Sequence, residues 1–222
     1  MPTRQIDSLE DGKWQNRRNS LITSIQQNPK AKFVTRAVQF FAQPLTYRML
    51  SAKDLAGQVQ LAQKFLAPLG IPVTVSELAY GYQTNDDAQL VLDTIDFVDL
   101  AMLPYFNASA TTAYKSWVFI QNDLTWITDR VKGKKIILSE NSWPHEKPIA
   151  PPIPPATTNA VASWEQMEDY FSLLDFFCTV LKQNAGGGVG WFAHVYSTDQ
   201  DASYGILVDE VPQFSFNPLT SC

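Results

Sequence analysis

The sequence predicts an α/β protein built on a parallel sheet. Two observations carry that expectation: five short apolar runs with strand character recur along the chain, and segments with helical periodicity fill the four gaps between them. Such alternation calls for right-handed crossovers. A third observation concerns domains. No linker-like stretch divides the chain, so residues 1–222 read as a single domain with 1–8 as a flexible tail.

The elements follow in order. Residues 9–27 become amphipathic toward their end, with Leu21, Ile22 and Ile25 at helical spacing, and Asn28-Pro29 stops the helix. Lys32–Phe41 reads as the first strand. Ser51-Ala52-Lys53-Asp54 is a capping-box variant that opens a helix running to about Leu69, which Gly70 ends. Ile71–Leu78 is a β-branched strand, Asp86–Ile95 a short helix, Phe97–Leu103 a strand and Thr111–Val131 a long helix with Gly133 beyond it. Lys134–Ser139 is the fourth strand. The six prolines of residues 144–155 suit an extended connector. A helix spans Ser163 to Gln183, a glycine run breaks it, and Val189–Val195 is the last main strand. A short strand is expected at Gly205–Val208.

Composition limits the partners. Hydrophobic residues make up 45% of the chain, with six Trp and thirteen Phe, so a sizeable core is available. The net charge of −5 without a basic block argues against nucleic acid and anionic membranes. No apolar run is long enough to span a bilayer. The opening MPTRQIDSLEDGKW is polar and does not read as a signal peptide, which taken by itself predicts an intracellular product. The two cysteines, Cys178 and Cys222, lack zinc-ligand spacing. They are either a core thiol and a terminal one, or a disulfide that requires an oxidising compartment. His145 and His194 are not spaced as a metal pair, so neither a metal nor a cofactor is expected. Asn107-Ala108-Ser109 is a glycosylation sequon, relevant if the chain is secreted.

Two folds fit this order: an open doubly wound sheet, or part of an eight-stranded βα-barrel. Both place ligands at the carboxyl ends of the strands. The residues there are Ala42, Gln43 and Pro44, then Glu77 with Tyr80 and Tyr82, then Tyr105 and Phe106, then Glu140 and Trp143, and finally Trp191, His194 and Tyr196. No glycine-rich phosphate loop follows the first strand, so a nucleotide is disfavoured. Carboxylates beside aromatic rings suit sugars, whose CH faces stack on rings while their hydroxyls bond carboxylates. Trp191 and Phe192 point to opposite faces, so at least one of them belongs to the core.

Several longer stretches carry a family resemblance: AVQFFAQPL (37–45), IPVTVSELAYGYQ (71–83), MLPYFN (102–107), KKIILSENSWP (134–144), VGWFAHVYS (189–197) and the closing TSC (220–222). From about Trp14 to Cys222 the chain resembles the fungal cell-wall branch of glycoside hydrolase family 17, the β-1,3-glucan-active enzymes. The resemblance implies a (β/α)8 TIM-barrel type of fold in which the present strands are strands four to eight, the domain being truncated at its N-terminus. It also implies a β-glucan polysaccharide or oligosaccharide as partner, a secreted or cell-wall location and a family-like disulfide between Cys178 and Cys222. Uncovered strand edges would then favour self-association.

The resemblance assigns roles by position. Glu140 matches the nucleophile in its Glu-x-x-Trp-Pro setting, with Ser142 where the family usually has glycine. At the general-acid position the family pattern ends in Gly, then Asn or Ser, then Glu; this chain has Phe41, Ala42 and Gln43. A retaining glycosidase needs a nucleophilic carboxylate and a carboxylic acid about 5–5.5 Å from it. The amide of Gln43 cannot act as that acid. Glu77, one strand over, is the stand-in to weigh. Glu77, Tyr80, Tyr105, Trp143 and Trp191 are the expected substrate-binding residues. The expectation is therefore a β-1,3-glucan-active retaining hydrolase or transglycosylase with impaired acid catalysis. The alternative is a non-catalytic glucan-binding relative or a degraded paralogue.

Overall fold

The structure is a computed structural model that describes residues 13–148 and 159–222. The expected tail at 1–8, the start of the first helix and residues 149–155 of the proline-rich connector lie outside the described residues. Five strands, β1 (Val38–Ala42), β2 (Val73–Leu78), β3 (Val98–Met102), β4 (Ile136–Asn141) and β5 (Val189–Ala193), lie in one sheet in the order β1-β2-β3-β4-β5. β1 runs parallel to β2 and β4 parallel to β5. The order matches the chain order, as when successive βαβ crossovers all step in one direction. The described residues divide into two compact units, one ending at Asp99 and the other starting at Leu100.

In the first unit, helix α1 (Lys13–Gln27) is followed by α2 (Ala31–Val34), and β1 starts only at Val38. The strand expected over Lys32–Phe41 is thus corrected at its front. Asn28 sets a turn instead: its Oδ1 accepts from the Lys30 N–H at 3.0 Å and its carbonyl accepts from the Ala31 N–H at 3.0 Å. Phe33 and Val34, read as strand residues, are 73% and 79% exposed, so no buried face holds them in a sheet. Helix α3 (Ala52–Leu66) begins as its capping box predicts, with Ser51 Oγ accepting from the Asp54 N–H at 3.1 Å. Its Leu55, Val59, Ala62 and Leu66 are buried at the 3–4 spacing of a core-facing stripe. Gly70, at φ +71, closes the following turn in a left-handed conformation that favours glycine. Asp96 fixes the start of β2: its carboxylate accepts from the Val73 N–H at 2.7 Å, and its own N–H donates to the Val73 carbonyl at 2.9 Å. Two short helices, α4 (Ala79–Gln83) and α5 (Ala88–Thr94), follow. Sequence reasoning missed α4 because Tyr80, Gly81 and Tyr82 carry little helix preference.

In the second unit, the expected long helix over 111–131 is a 3-10 turn at Tyr114–Ser116 followed by α6 (Trp117–Thr128). The helix expected over 163–183 is broken at Phe177 into α7 (Trp164–Phe176) and α8 (Cys178–Gln183). Ser163 caps α7 by accepting from the Gln166 N–H. The expected short strand is β6 (Leu207–Val208), which pairs antiparallel with β7 (Val211–Pro212). Cys178 and Cys222 form a disulfide. No helix among the described residues is long and apolar enough to cross a membrane.

Candidate active site

Two β-bulges shape the strand ends. Gln39 pairs with Thr74 and Ala42 with Ser76, so Phe40 and Phe41 together stand opposite Val75 alone. Leu138 pairs with Trp191 and Asn141 with Ala193, so Ser139 and Glu140 together stand opposite Phe192 alone. A bulge adds one residue, bends its strand and re-aims the side chains beyond it. Gln43 follows the first bulge and Glu140 lies in the second. Each unit therefore presents one of the two candidate catalytic positions from the same local device.

In the first unit the end of β1 is bound tightly to β2. The Gln43 N–H donates to the Ser76 carbonyl at 2.7 Å, and the Gln43 carbonyl accepts from the Tyr47 N–H at 3.0 Å. Phe41 and Gln43 both adopt left-handed backbone, at φ +62 and +55. Such conformations are costly for residues with a side chain. The Phe41 ring packs on Trp14 at 5.2 Å between centroids. Gln43 is buried, with 8% of its surface exposed.

Glu77 holds this turn from below. Its carboxylate accepts from the Leu45 N–H at 2.6 Å, the Thr46 N–H at 3.3 Å, the Thr46 hydroxyl at 2.6 Å and the Leu78 N–H at 2.8 Å. It is wholly buried. Burial outweighs these bonds and raises its pKa above the ordinary carboxylate value. All four donors belong to the protein itself, so this carboxylate is engaged in shaping the 43–46 turn. Tyr82, fully buried nearby, is pushed well above the usual tyrosine range by burial first and then by the charges of Glu77 and Asp99. Tyr80, on α4, is 37% exposed.

In the second unit Glu140 is half-buried at the end of β4. The residue after it is bound on two sides: the Asn141 carbonyl accepts from the His194 N–H at 3.1 Å, and its Oδ1 accepts from the Tyr170 hydroxyl at 2.6 Å. Burial lowers the His194 pKa, against the charges of Glu140 and Asp201, which raise it. The His194 ring meets Tyr204 edge-on at 5.2 Å.

The expected aromatic platforms are differently disposed. Trp143 has none of its surface exposed, donates from Nε1 to the Val161 carbonyl at 2.8 Å and meets Tyr105 edge-on at 5.3 Å. Tyr105 is itself buried. Both rings form wall beside the strand ends, with no open face in this structure. Trp191 stacks on Phe171 at 5.7 Å, and Phe171 also packs against Phe214 and Phe216 of the tail. The exposed member of that pair is Phe192, as the alternation requires. His145, stacked on Trp164 at 3.6 Å, lies beyond the same strand end. No group of three metal-binding side chains occurs among the described residues. A groove of about 910 Å³ lined by Tyr114, Trp117, Phe119, Phe176 and Phe177 lies on α6 and α7 and contains none of these strand-end residues.

No protein-family model matches the chain, and no curated protein sequence matches it. Solved structures do. A glycoside hydrolase family 17 β-1,3-glucanosyltransferase from Rhizomucor miehei is similar at 20% identity with a TM-score of 0.69 over 89% of this chain and 68% of that one. An active-site mutant of the Rhizomucor miehei enzyme in complex with laminaritriose gives the same score and coverage at 17% identity. A GH128 endo-β-1,3-glucanase from Amycolatopsis mediterranei, crystallised with laminaripentaose, is similar at 18% identity with a TM-score of 0.58 over 88% of this chain and 75% of that one. The likeness is one of fold.

Proposed function

We propose that this chain is a β-1,3-glucan-active retaining glycoside hydrolase or transglycosylase of the fungal cell wall, with its acid catalysis impaired. The carrying observation is the bulge that sets Glu140 at the carboxyl end of β4, in a sheet whose fold resembles β-1,3-glucan-active proteins. In this reading the five strands correspond to strands four to eight of a (β/α)8 barrel. Glu140 attacks the anomeric carbon and forms a covalent glycosyl ester. The residue at position 43 should protonate the departing oxygen, and here it is an amide. Glu77 does not replace it, because its carboxylate is already saturated by the 43–46 turn and Leu78.

The test is turnover of laminarin-type glucan by the wild type, Glu140→Gln and Gln43→Glu. General acid catalysis contributes about 10²–10⁴-fold. The wild type is expected to turn over slowly and Gln43→Glu to gain within that range. Robust wild-type turnover abolished by Glu140→Gln would refute the impairment, and no gain from Gln43→Glu would place the donor elsewhere.

The Gln43 amide favours a second reading, a non-catalytic glucan binder. Micromolar affinity for laminari-oligosaccharides together with a silent Gln43→Glu variant would select it. The Cys178–Cys222 disulfide supports a secreted or cell-wall location, because such bonds persist in oxidising compartments. Pairing of copies through the outer strands β1 and β5 is part of the same proposal, and sedimentation equilibrium reads it.

A further inference from the structure

We propose that Tyr170 is a positioning residue for Glu140: by binding the side chain of Asn141 it fixes the face of β4 from which the carboxylate emerges. The role rests on Glu140 being the nucleophile. The Tyr170 hydroxyl, on α7, donates to Asn141 Oδ1 at 2.6 Å, and neither residue has any of its surface exposed. Packing alone would be met by phenylalanine, since the Tyr170 ring lies against Trp143 at 6.5 Å between centroids.

The pairing register shows what the bond decides. Leu138 pairs with Trp191 and Asn141 with Ala193. Trp191 and Ala193 are alternate residues of β5 and so share a face. Leu138 and Asn141 therefore share a face as well, although they are not alternate residues, and only the bulge between them allows it. That face is turned to α7: Trp191 stacks on Phe171, Asn141 meets Tyr170, and Ile136, Leu138 and Asn141 are all fully buried. Ile137, Ser139 and Glu140 are the half-buried members of the strand and take the opposite face, on which Phe192 is exposed. Without the extra residue, alternation would put Glu140 on the α7 side with Leu138 and Asn141 on the other.

Asn141 is thus a polar residue on a buried face. Its Nδ2 meets no acceptor, so among the described residues the Tyr170 hydroxyl alone bonds its amide. Removing that hydroxyl leaves the amide buried with both ends unpaired, which favours turning it out toward water. Turning residue 141 outward undoes the bulge and carries residue 140 toward α7. Backbone bonds oppose a complete slip: the His194 N–H donates to the Asn141 carbonyl at 3.1 Å and the Ser142 N–H to the Met102 carbonyl at 3.4 Å. The loss is therefore expected as a carboxylate that spends less time on its productive face, in a chain that still folds. Glu140 has contacts of its own; the Tyr170–Asn141 bond decides the side of the sheet on which they are made.

The test isolates the nucleophilic step with a 2,4-dinitrophenyl 2-deoxy-2-fluoro-β-glucoside of the laminaribiose type. The Glu140 oxygen forms a bond to C1 as the C1–O bond to dinitrophenolate breaks. The phenolate leaves with the electron pair and needs no proton, so Gln43 plays no part. Intact-mass kinetics give the reversible binding constant and the first-order labelling constant separately. Tyr170→Phe keeps the ring against Trp143 and removes only the hydroxyl. At a temperature where circular dichroism shows it folded, its labelling constant is expected to fall about ten- to a hundredfold, with reversible binding unchanged. A bond that served stability alone would lower the melting temperature and leave this constant at the wild-type value, and that result overturns the proposal. Tyr170→Phe combined with Asn141→Leu sets two apolar side chains on the buried face with no orphaned amide, and is expected to recover most of the labelling. No recovery overturns the proposal as well.

Failure of the underlying reading looks different: the adduct maps to another residue, fails to form, or forms equally in Glu140→Gln. A measurement without glycoside chemistry decides in every case. Cys178 and Cys222 are bonded to each other, so Glu140→Cys introduces a lone thiol into the chain. Its thiolate adds to the double bond of N-ethylmaleimide, a sulfur–carbon bond forming as water protonates the neighbouring carbon. A thiol is readily buried, so without the Tyr170 hydroxyl it is expected to turn toward α7, and the addition should run at least about tenfold slower in the Tyr170→Phe background. Equal rates in the two backgrounds overturn the proposal whether or not any glycosyl adduct forms.

Discussion

Glu77→Gln replaces a buried carboxylate with an amide of nearly the same shape, and its cost follows from the geometry of four hydrogen bonds. One carboxylate oxygen accepts from the Leu45 and Thr46 N–H groups, the other from the Thr46 hydroxyl and the Leu78 N–H. The amide has one oxygen and one NH₂. With NH₂ toward Leu45 and Thr46, two backbone donors lose their acceptor. With NH₂ toward Thr46 Oγ1 and Leu78, the hydroxyl can turn and accept, so only the Leu78 N–H is orphaned. The second orientation is cheaper. One unsatisfied buried donor costs about 1–3 kcal/mol, and the three remaining bonds lose their charge assistance. Relief from burying a charge offsets part of this. The expected loss is about 2 kcal/mol, read in urea unfolding at neutral pH as a lowered midpoint at constant m. The pH dependence carries a sign. Because burial raises the Glu77 pKa, the folded chain holds this proton more tightly than the unfolded chain does. Its contribution is therefore greatest below the ordinary carboxylate pKa and declines as pH climbs to the raised value. The wild type's margin over Glu77→Gln should narrow across that window. A loss below about 0.5 kcal/mol, well under the cost of one orphaned buried donor, would refute the claim that Glu77 holds the 43–46 turn.

Two further outcomes test neighbouring features. The disulfide closes a separation of 44 residues, for which the chain-entropy relation gives about 4 kcal/mol, so Cys178→Ser is expected to lower unfolding stability by about 2–4 kcal/mol and to make it insensitive to reductant. Gly81→Ala should destabilise although it lies in a helix, where alanine is favoured by about 1 kcal/mol. The new Cβ would start 2.5 Å from the Glu77 carboxylate and 2.7 Å from Thr46 Oγ1, and overpacking of that kind costs about 1–3 kcal/mol. A raised melting temperature for Gly81→Ala would mean that the turn yields.

Legibility in the sequence followed the range of the forces involved. The strands 73–78, 98–102, 136–141 and 189–193 were readable because each contains apolar or β-branched residues suited to a buried strand, even though Thr74, Ser76, Glu77, Asp99 and Asn141 are buried among them. Helix α3 was readable because Ser51, Asp54 and the buried stripe all agree. Phe33 and Val34 misled because a local turn at Asn28 outweighs the strand preference of two residues that nothing covers. Trp143 was legible as important; its sealed position was not, because the Val161 carbonyl and Tyr105 that enclose it come from distant segments. The ring of His194 meets Tyr204 only because a turn at Asp201 brings that ring back.

The bulges were the least legible feature, and they bear most on function. A bulge is one extra residue in a strand, and a single sequence does not reveal pairing register. Yet the bulge of β1 persists where its chemistry is least favourable. Phe41 and Gln43 adopt left-handed backbone although neither is glycine. That conformation is retained against a steric cost, held by the Gln43–Ser76 bond, the Glu77 cluster and the packing of Phe41 on Trp14. The backbone around position 43 is thus held by bonds that are not made by its own side chain. What separates the proposed acid site from a competent one is then an NH₂ in place of an OH. One substitution, Gln43→Glu, is then expected to return a carboxylic acid to that position with no rebuilding of the turn.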